Sequence, residues 1–352
     1  MSGNDLEPKL HNALEVTLDQ YLDLSGLAKP VSNNAVKAIG RLATAIVDIP
    51  VAFLEGKSNE VRAISAGKVA LTNAVTTQMI NQLEVPEIYA KKAGKKVADR
   101  IVGQQKNLDI ISKNAIDELK KNPTIEVIGE ADTGDSVEIS DDWLNVFQAE
   151  AVLKSTESAQ ALFGKILAGE ISRPGTFSEK AIRTLSQLDP KTAALFERLC
   201  SLASSLWLES RELDCRVISN GGNAGANALR EFGLDFGGLN RLLEHGLIIA
   251  DFHSYVDYDG AVVVATPSDE VIAKAQFTIR MDGRTFVLKA IRENLENPVT
   301  VRVHGVALSN VGRELFAIVN KTAEPSYSAA VHAFFAGRNL ELMEISPTAP
   351  PP

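Results

Sequence analysis

The sequence predicts a mainly α-helical protein that ends in a winged-helix-like α+β module. Three observations lead to this fold class. Apolar residues recur at three- and four-residue steps through the first third of the chain, and helix-start signals follow compact turns in the middle. Alternating apolar runs with Asp-Gly turns occur only in the C-terminal third. A chain of 352 residues, 45% of them hydrophobic, is long enough for two or three domains with a sizeable core.

The first region, residues 1–123, is predicted to be helical. Its helices are expected over residues 10–22, 34–54, 59–83 and 86–121. The last helix stops at Asn122-Pro123, and its apolar residues keep helical spacing while polar residues cover the other faces. We therefore expect it to be exposed, or to join copies of the chain into a homo-oligomer.

An acidic segment, residues 124–142, separates this region from the next. From Glu126 to Asp142 it contains seven acidic residues, two glycines and no basic residue. A run of one charge with glycines is typical of a solvated linker. We predict a domain boundary here.

Residues 143–206 are predicted to form a central three-helix block with two compact corners. The first corner lies in residues 165–178, which read KILAGEISRPGTFS. Pro174 and Gly175 turn the chain there, while Thr176 and Glu179 have the spacing of a capping box at the start of the next helix. The second corner is the Asp189-Pro190 pair, which is typical of a helix start.

The first corner could also be interpreted as a reaction site, because Glu170, Ser172 and Arg173 lie beside the turn. Every helix end, however, needs partners for its free backbone groups, and catalytic turns are rare by comparison. We therefore favour a structural corner over a site.

The C-terminal region, residues 207–345, is predicted to be a winged-helix-like α+β module. A short helix ending in LLEHGLI leads into an alternating run over 248–266 with a turn at Asp259-Gly260, which predicts a hairpin. A second hairpin is expected over 277–291, with its turn at Asp282-Gly283. Residues 346–352, with four prolines, should form a disordered tail.

Composition limits the compartment and the kind of partner. The net charge of −9 and a pI near 5.2 argue against a surface built throughout to hold nucleic acid, so any polyanion site must be local. The two cysteines, Cys200 and Cys215, are not closely spaced, which fits buried free thiols in a reducing cytoplasm. The apolar stretch 35–54 carries Lys37, Arg41 and Asp48, so we expect no transmembrane segment.

A basic cluster on the long predicted helix is the one local candidate for a polyanion site. Lys92, Lys96 and Arg100 share a helix face through their four-residue spacing. Such a face could contact nucleic acid, acidic lipid or the acidic segment of the same chain, or it could be an ordinary solvated charge run.

Two weaker candidates lie in the C-terminal region. His245 and His253, with three nearby aspartates, could in principle bind a divalent metal, but their separations match no zinc template and we favour a surface hairpin. The Gly-rich run 219–228 lacks the spacing of a phosphate-binding loop, so a connector is preferred. We expect no cofactor.

Common catalytic signatures, such as GxSxG, HExxH, paired CxxC and the P-loop, do not occur in the sequence. We therefore expect a non-enzymatic interaction or sensor protein, with a protein partner. The alternatives are a winged-helix nucleic-acid-binding regulator and an unrecognised metal-dependent enzyme.

A family resemblance rests on the central block. The run from Asp142-Trp143-Leu144 to KILAGEISRPGTFS, with the earlier LSGLAKP and the later LLEHGLI and LSNVGRELFAIV, resembles an uncharacterised bacterial family near the abortive-infection alpha proteins. The resemblance covers about residues 24–342 and implies a bacterial or prophage protein of the cytoplasm, with a role in phage defence. It implies no catalytic residues.

Overall fold

The computed structural model divides into two compact units. It describes residues 27–44, 57–121, 138–252, 254–263, 277–291 and 301–345. Among these residues the division falls between Ser186 and Gln187, inside the block predicted over 143–206. Four predicted features lie outside the described residues: the helix over 10–22, most of the acidic linker (124–137), His253 and the tail 346–352.

Helices alone build the described part of the first unit. In chain order they are α1 (Lys29–Thr44), α2 (Lys57–Leu83), α3 (Glu87–Lys121), α4 (Asp141–Ala151), α5 (Glu157–Ser172) and α6 (Glu179–Gln187). The long helix predicted over 86–121 is thereby confirmed as α3. Its apolar stripe forms the core of this unit together with aromatic residues of α4 and α5, namely Phe147 and Phe163, whose ring centroids lie 5.6 Å apart.

Helices α2 and α3 form an antiparallel hairpin whose close approach depends on a small residue. A Cβ atom at Gly94 would lie 2.5 Å from Thr76 Oγ1 and 2.9 Å from the Thr72 carbonyl oxygen, so only glycine fits there. Thr76 is buried, and its hydroxyl donates to the Ala90 carbonyl at 3.5 Å. The hairpin leaves one long face of α3 exposed.

The second unit is a sheet with helices. Its helices are α7 (Pro190–Leu202), α8 (Phe236–Glu244), α9 (Asn310–Phe316) and α10 (Pro325–Ala336). Its strands are β1 (Ser204–Leu208), β2 (Arg211–Ile218), β3 (Tyr255–Asp257), β4 (Val262–Val263), β5 (Phe277–Met281), β6 (Arg284–Ala290), β7 (Arg302–Ala307) and β8 (Leu340–Ile345). The strand order is β3-β7-β2-β1-β5-β6-β4, and β8 also pairs with β6. All pairs are antiparallel except β4 with β6.

The sequence prediction of a mainly helical protein with C-terminal strands is confirmed, and so is the hairpin at Asp282-Gly283. That turn joins β5 to β6 with φ of 53° at Asp282 and 71° at Gly283, the two positive values that a tight two-residue hairpin requires. No helix of the described residues combines the length and apolarity needed to cross a bilayer.

The hairpin predicted over 248–266 is wrong. Its two strand segments do not pair with each other, because β3 pairs with β7 and β4 pairs with β6. The Asp259-Gly260 pair instead begins a single 3-10 turn, and the Asp259 carboxylate accepts a hydrogen bond from the Val301 backbone. The Asp-Gly pair, which usually marks a local hairpin turn, therefore contributes a contact with a distant segment of the chain instead.

The three-helix prediction for 143–206 is also wrong, because this range holds all or part of four helices and begins a strand. The extra break follows Ala151, where side chains from other helices take the freed carbonyls: Asn107 donates to Val152 O at 2.8 Å and Gln160 donates to Lys154 O at 2.9 Å. The helix α7 ends at Leu202, and β1 begins two residues later.

Candidate functional site

The corner in KILAGEISRPGTFS lies between α5 and α6. Gly175 has a φ of +86°, a conformation that strongly favours glycine. Glu170, which is only 2% exposed, accepts hydrogen bonds from the backbone N–H groups of Gly175 at 2.7 Å and Phe177 at 3.0 Å. The carboxylate thus holds the turn from inside.

The predicted capping box is wrong, although the helix start lies close to it. Helix α6 begins at Glu179, and its cap is Ser178, whose hydroxyl accepts from the Ala181 N–H at 3.1 Å. Thr176 instead donates to the Arg173 carbonyl at 2.5 Å, and Glu179 pairs with Arg183. Thr176 and Ser178 both carry a hydroxyl group and lie two positions apart, so spacing alone could not show which of them caps α6.

Further contacts fasten the same corner to neighbouring helices. Trp143 donates its indole N–H to the Phe177 carbonyl at 2.7 Å, and Asn34 donates to the Ile171 carbonyl at 3.3 Å. Both bonds are buried. The polar groups of this corner named above hold backbone groups in place, which supports the structural interpretation of Pro174, Gly175 and their neighbours.

The basic residues predicted on the long helix lie together on the exposed side of α3. Lys92, Lys96 and Arg100 are all exposed, as is Lys95 beside them, and we call these four residues the basic face. Within the part of the chain that the structure describes, none of the four makes an ion pair. Neighbouring charges do: Lys91 pairs with Glu87 at 2.5 Å, and Asp99 with Lys68 at 3.1 Å.

The structure describes only one of the two histidines that were considered as metal ligands. His245 is half-buried at the C-terminal end of α8, where its backbone N–H contributes to the cap, and His253 is not described. No group of three or more His, Cys, Asp or Glu residues suited to a metal occurs in the described ranges. The metal site therefore stays a prediction.

The sheet contains a buried ion pair that was not predicted from the sequence. Arg216 and Asp214 on β2 are bound through two hydrogen bonds, of 2.5 and 3.0 Å, and both side chains are almost fully buried. Arg216 also donates to the Val303 carbonyl at 3.0 Å, and the Tyr258 hydroxyl donates to Asp214 at 3.4 Å. Burial, and then the charge of Asp214, raise the pKa of Tyr258 well above its usual value. These contacts join β2, β7 and the segment before β4.

Glu212, on the same strand, is a second buried charge that the sequence analysis missed. A bulge pairs Glu212 with Trp207 but Asp214 with Leu206, so the two carboxylates point to opposite faces of the sheet. The Glu212 side chain is 1% exposed, and its carboxylate lies 3.6 Å from Arg313 Nη1. Burial raises its pKa to about 7, and the nearby Arg313 charge opposes this shift. Neither carboxylate oxygen has a hydrogen-bond partner among the described residues.

One sequence signal could have pointed to both pairs. The segment Arg211–Ile218 carries three buried charged residues, Glu212, Asp214 and Arg216, within a run that must otherwise be apolar to form a central strand. Buried charges in such a strand need partners, as they have here.

The remaining polar motifs have structural roles. In the Gly-rich run, Asn223 Oδ1 accepts a hydrogen bond from the Gly225 N–H. Asn227 Oδ1 accepts one from the N–H of Phe236, the first residue of α8. The two thiols, Cys200 and Cys215, are free and buried, and burial raises the pKa of both. Such thiols are poor nucleophiles.

Comparison with known proteins identifies one family. The family model described as a protein of unknown function, DUF2806, matches residues 92–332, more than half of the chain, from the first residue of the basic face into α10. No curated protein and no solved structure shows a significant match. The chain therefore belongs to the DUF2806 family.

Proposed function

We propose that the protein is a non-enzymatic interaction or sensor protein of the cytoplasm that binds an anionic partner through the basic face of α3. The observation that carries this proposal is the basic face itself. Four exposed cations without an ion pair among the described residues stand on one helix of a protein whose net charge is −9. Local charge of the opposite sign to the whole molecule concentrates anionic ligands at that place.

The charged groups inside the protein support the same proposal. Glu170 is occupied by two backbone N–H groups, and Asp214 by Arg216 and Tyr258. Internal contacts account for these two buried carboxylates, and a third, Glu212, faces Arg313 at 3.6 Å. All three are buried whereas the basic face is exposed, so an anionic partner can reach the basic face directly.

The biological setting that we propose is phage defence or prophage biology. The support is the resemblance of the central block to an uncharacterised bacterial family near the abortive-infection alpha proteins. Cells that carry the gene, and cells that lack it, should be challenged with a panel of phages. We expect lower plating efficiency for at least one phage on cells with the gene. Equal plating of every phage would remove the defence role.

A matched pair of variants connects the setting to the site. The first variant replaces Lys92, Lys96 and Arg100 with Gln, and the control replaces three exposed lysines elsewhere in the first unit, Lys113, Lys121 and Lys180. Both lose three positive charges. If the proposal is right, the first variant no longer restricts the phage and the control still does. Restriction by both variants would show that the basic face is not the functional site.

A nucleic-acid-binding regulator is the second candidate, because the basic face could equally contact phosphates. Binding to duplex DNA should then weaken steeply with salt, and the triple basic-face variant should lower the slope of log K against log salt by roughly 3. A winged-helix role for residues 207–345 has less support, since Arg241 on α8 stands beside Glu244 and the capping carboxylate of Asp235. No binding to DNA at low salt would dispose of this candidate.

A further inference from the structure

The exposed side of α3 combines the basic face with apolar side chains. At about 100° per residue, Ile88 and Tyr89 fall within the same arc, of about 140°, as the four residues of the basic face. Ile88 is 67% exposed and Tyr89 65%. The opposite side of these turns carries Ala90, Gly94 and Ala98, which are buried. One surface, roughly 18 Å long from residue 88 to residue 100, is thus apolar at one end and cationic along the rest.

The described neighbours of this surface do not cancel its charge. Asp99 lies within the arc but is paired with Lys68, and Glu87 is paired with Lys91. Glu84, at the loop between α2 and α3, is the remaining exposed acid among the described residues at this end of the hairpin, against the four cations of the basic face. Counted over the described residues, the surface keeps an excess of positive charge.

We propose that this surface docks on a lipid bilayer that contains anionic lipid. Ile88 and Tyr89 enter the boundary between headgroups and acyl chains, and the basic face lies against the lipid phosphates. The inference rests on the proposed anion-binding function and names its partner. An apolar element beside a basic cluster is the combination that gives stable peripheral binding, because each part alone binds weakly.

A bilayer explains the apolar end better than the other anionic partners do. Ile88 has no polar group, and a charged, hydrated nucleic-acid backbone offers no apolar surface on which it could be buried, whereas the acyl region of a bilayer does. Tyr89 has an apolar ring and a polar hydroxyl, as is common for residues at a membrane interface. A second copy of the chain is disfavoured, since the two basic faces would repel each other.

The test is sedimentation of the full-length protein with vesicles of phosphatidylcholine, with or without phosphatidylglycerol, at low salt. We expect the wild type to bind only vesicles that contain phosphatidylglycerol. Replacing Lys92, Lys96 and Arg100 with Gln should lower the partition coefficient on the order of a hundredfold, at roughly fivefold for each cation. The control with Gln at 113, 121 and 180 should bind like the wild type.

A second variant tests the apolar end. Replacing Ile88 and Tyr89 with Ser should lower vesicle binding, most clearly at higher salt where electrostatic attraction is screened, and should leave binding to duplex DNA unchanged. Circular dichroism checks that both variants keep their helices.

Three results would overturn the lipid proposal: no binding of the wild type to anionic vesicles, equal binding by the basic-face variant, or equal binding by the Ile88 and Tyr89 variant. Binding to DNA without binding to vesicles would assign the surface to nucleic acid instead. If the wild type does not bind vesicles but the basic-face variant loses phage restriction, the proposal of a lipid partner is wrong and the proposed anion-binding function stands. If the basic-face variant keeps both activities, both proposals fail.

Discussion

Among single residues, Ser178 is the one whose hydroxyl caps α6, since it accepts from the Ala181 N–H. Ser178→Ala should therefore lower the free energy of unfolding by about 0.5–2 kcal/mol, whereas Ser178→Thr keeps the hydroxyl and should cost much less. Thermal unfolding followed by circular dichroism measures both. An unchanged melting temperature for Ser178→Ala would show that the cap contributes nothing.

Glu212 is the residue whose replacement should change how stability depends on pH. Because burial raises its pKa in the folded protein to about 7, its contribution is fully present below the usual carboxyl pKa and is lost as pH rises through about 7. Glu212→Gln should remove this loss, so that the variant gains on the order of 1–3 kcal/mol relative to the wild type between acid and mildly alkaline pH.

The control for Glu212 is Glu197→Gln, which removes the same charge from an exposed position on α7. Urea unfolding across this pH range measures all three proteins. A stability difference between wild type and Glu212→Gln that does not vary with pH would contradict the raised pKa.

Among the helices and strands, α3 contains two glycines whose replacement by alanine should change stability in opposite directions. Gly94 faces Thr76 and Thr72 of α2 with no room for a Cβ atom, but a Cβ atom at Gly103 would meet nothing within 4 Å. Gly94→Ala should destabilise the protein by about 1–3 kcal/mol through overpacking, and Gly103→Ala should stabilise it by roughly 0.5–1 kcal/mol through better helix propensity. Chemical denaturation tests the pair. Equal effects of the two changes would mean that α2 and α3 do not pack closely at Gly94.

Elements with a strong local signal could be predicted from the sequence. The helix α3 and the β5–β6 hairpin depend on apolar period and on a two-residue turn, which are properties of one segment. The hairpin predicted around Asp259-Gly260 failed because a carboxylate from that turn binds Val301, 42 positions away. Such a contact leaves no local trace in the sequence.

At the scale of the whole molecule, the candidate site was predictable to the extent that it depends on helical spacing. Lys92, Lys96 and Arg100 follow from a four-residue repeat, and the structure adds that they are exposed. The charges of Asp214 and Arg216 are visible in the sequence of β2, but their burial, like that of Glu170, depends on which surfaces the rest of the fold covers, so spacing alone could not predict it. In the described part of this acidic chain the basic face is exposed, which fits the binding role that we propose.

Elution from a heparin column tests most directly whether the basic face is an anion-binding site. We expect the wild type and the Lys113, Lys121 and Lys180 variant to be retained at low salt and to elute together, whereas the Lys92, Lys96 and Arg100 variant should elute at clearly lower salt. Elution of all three proteins at the same salt concentration, or no retention of the wild type, would contradict it.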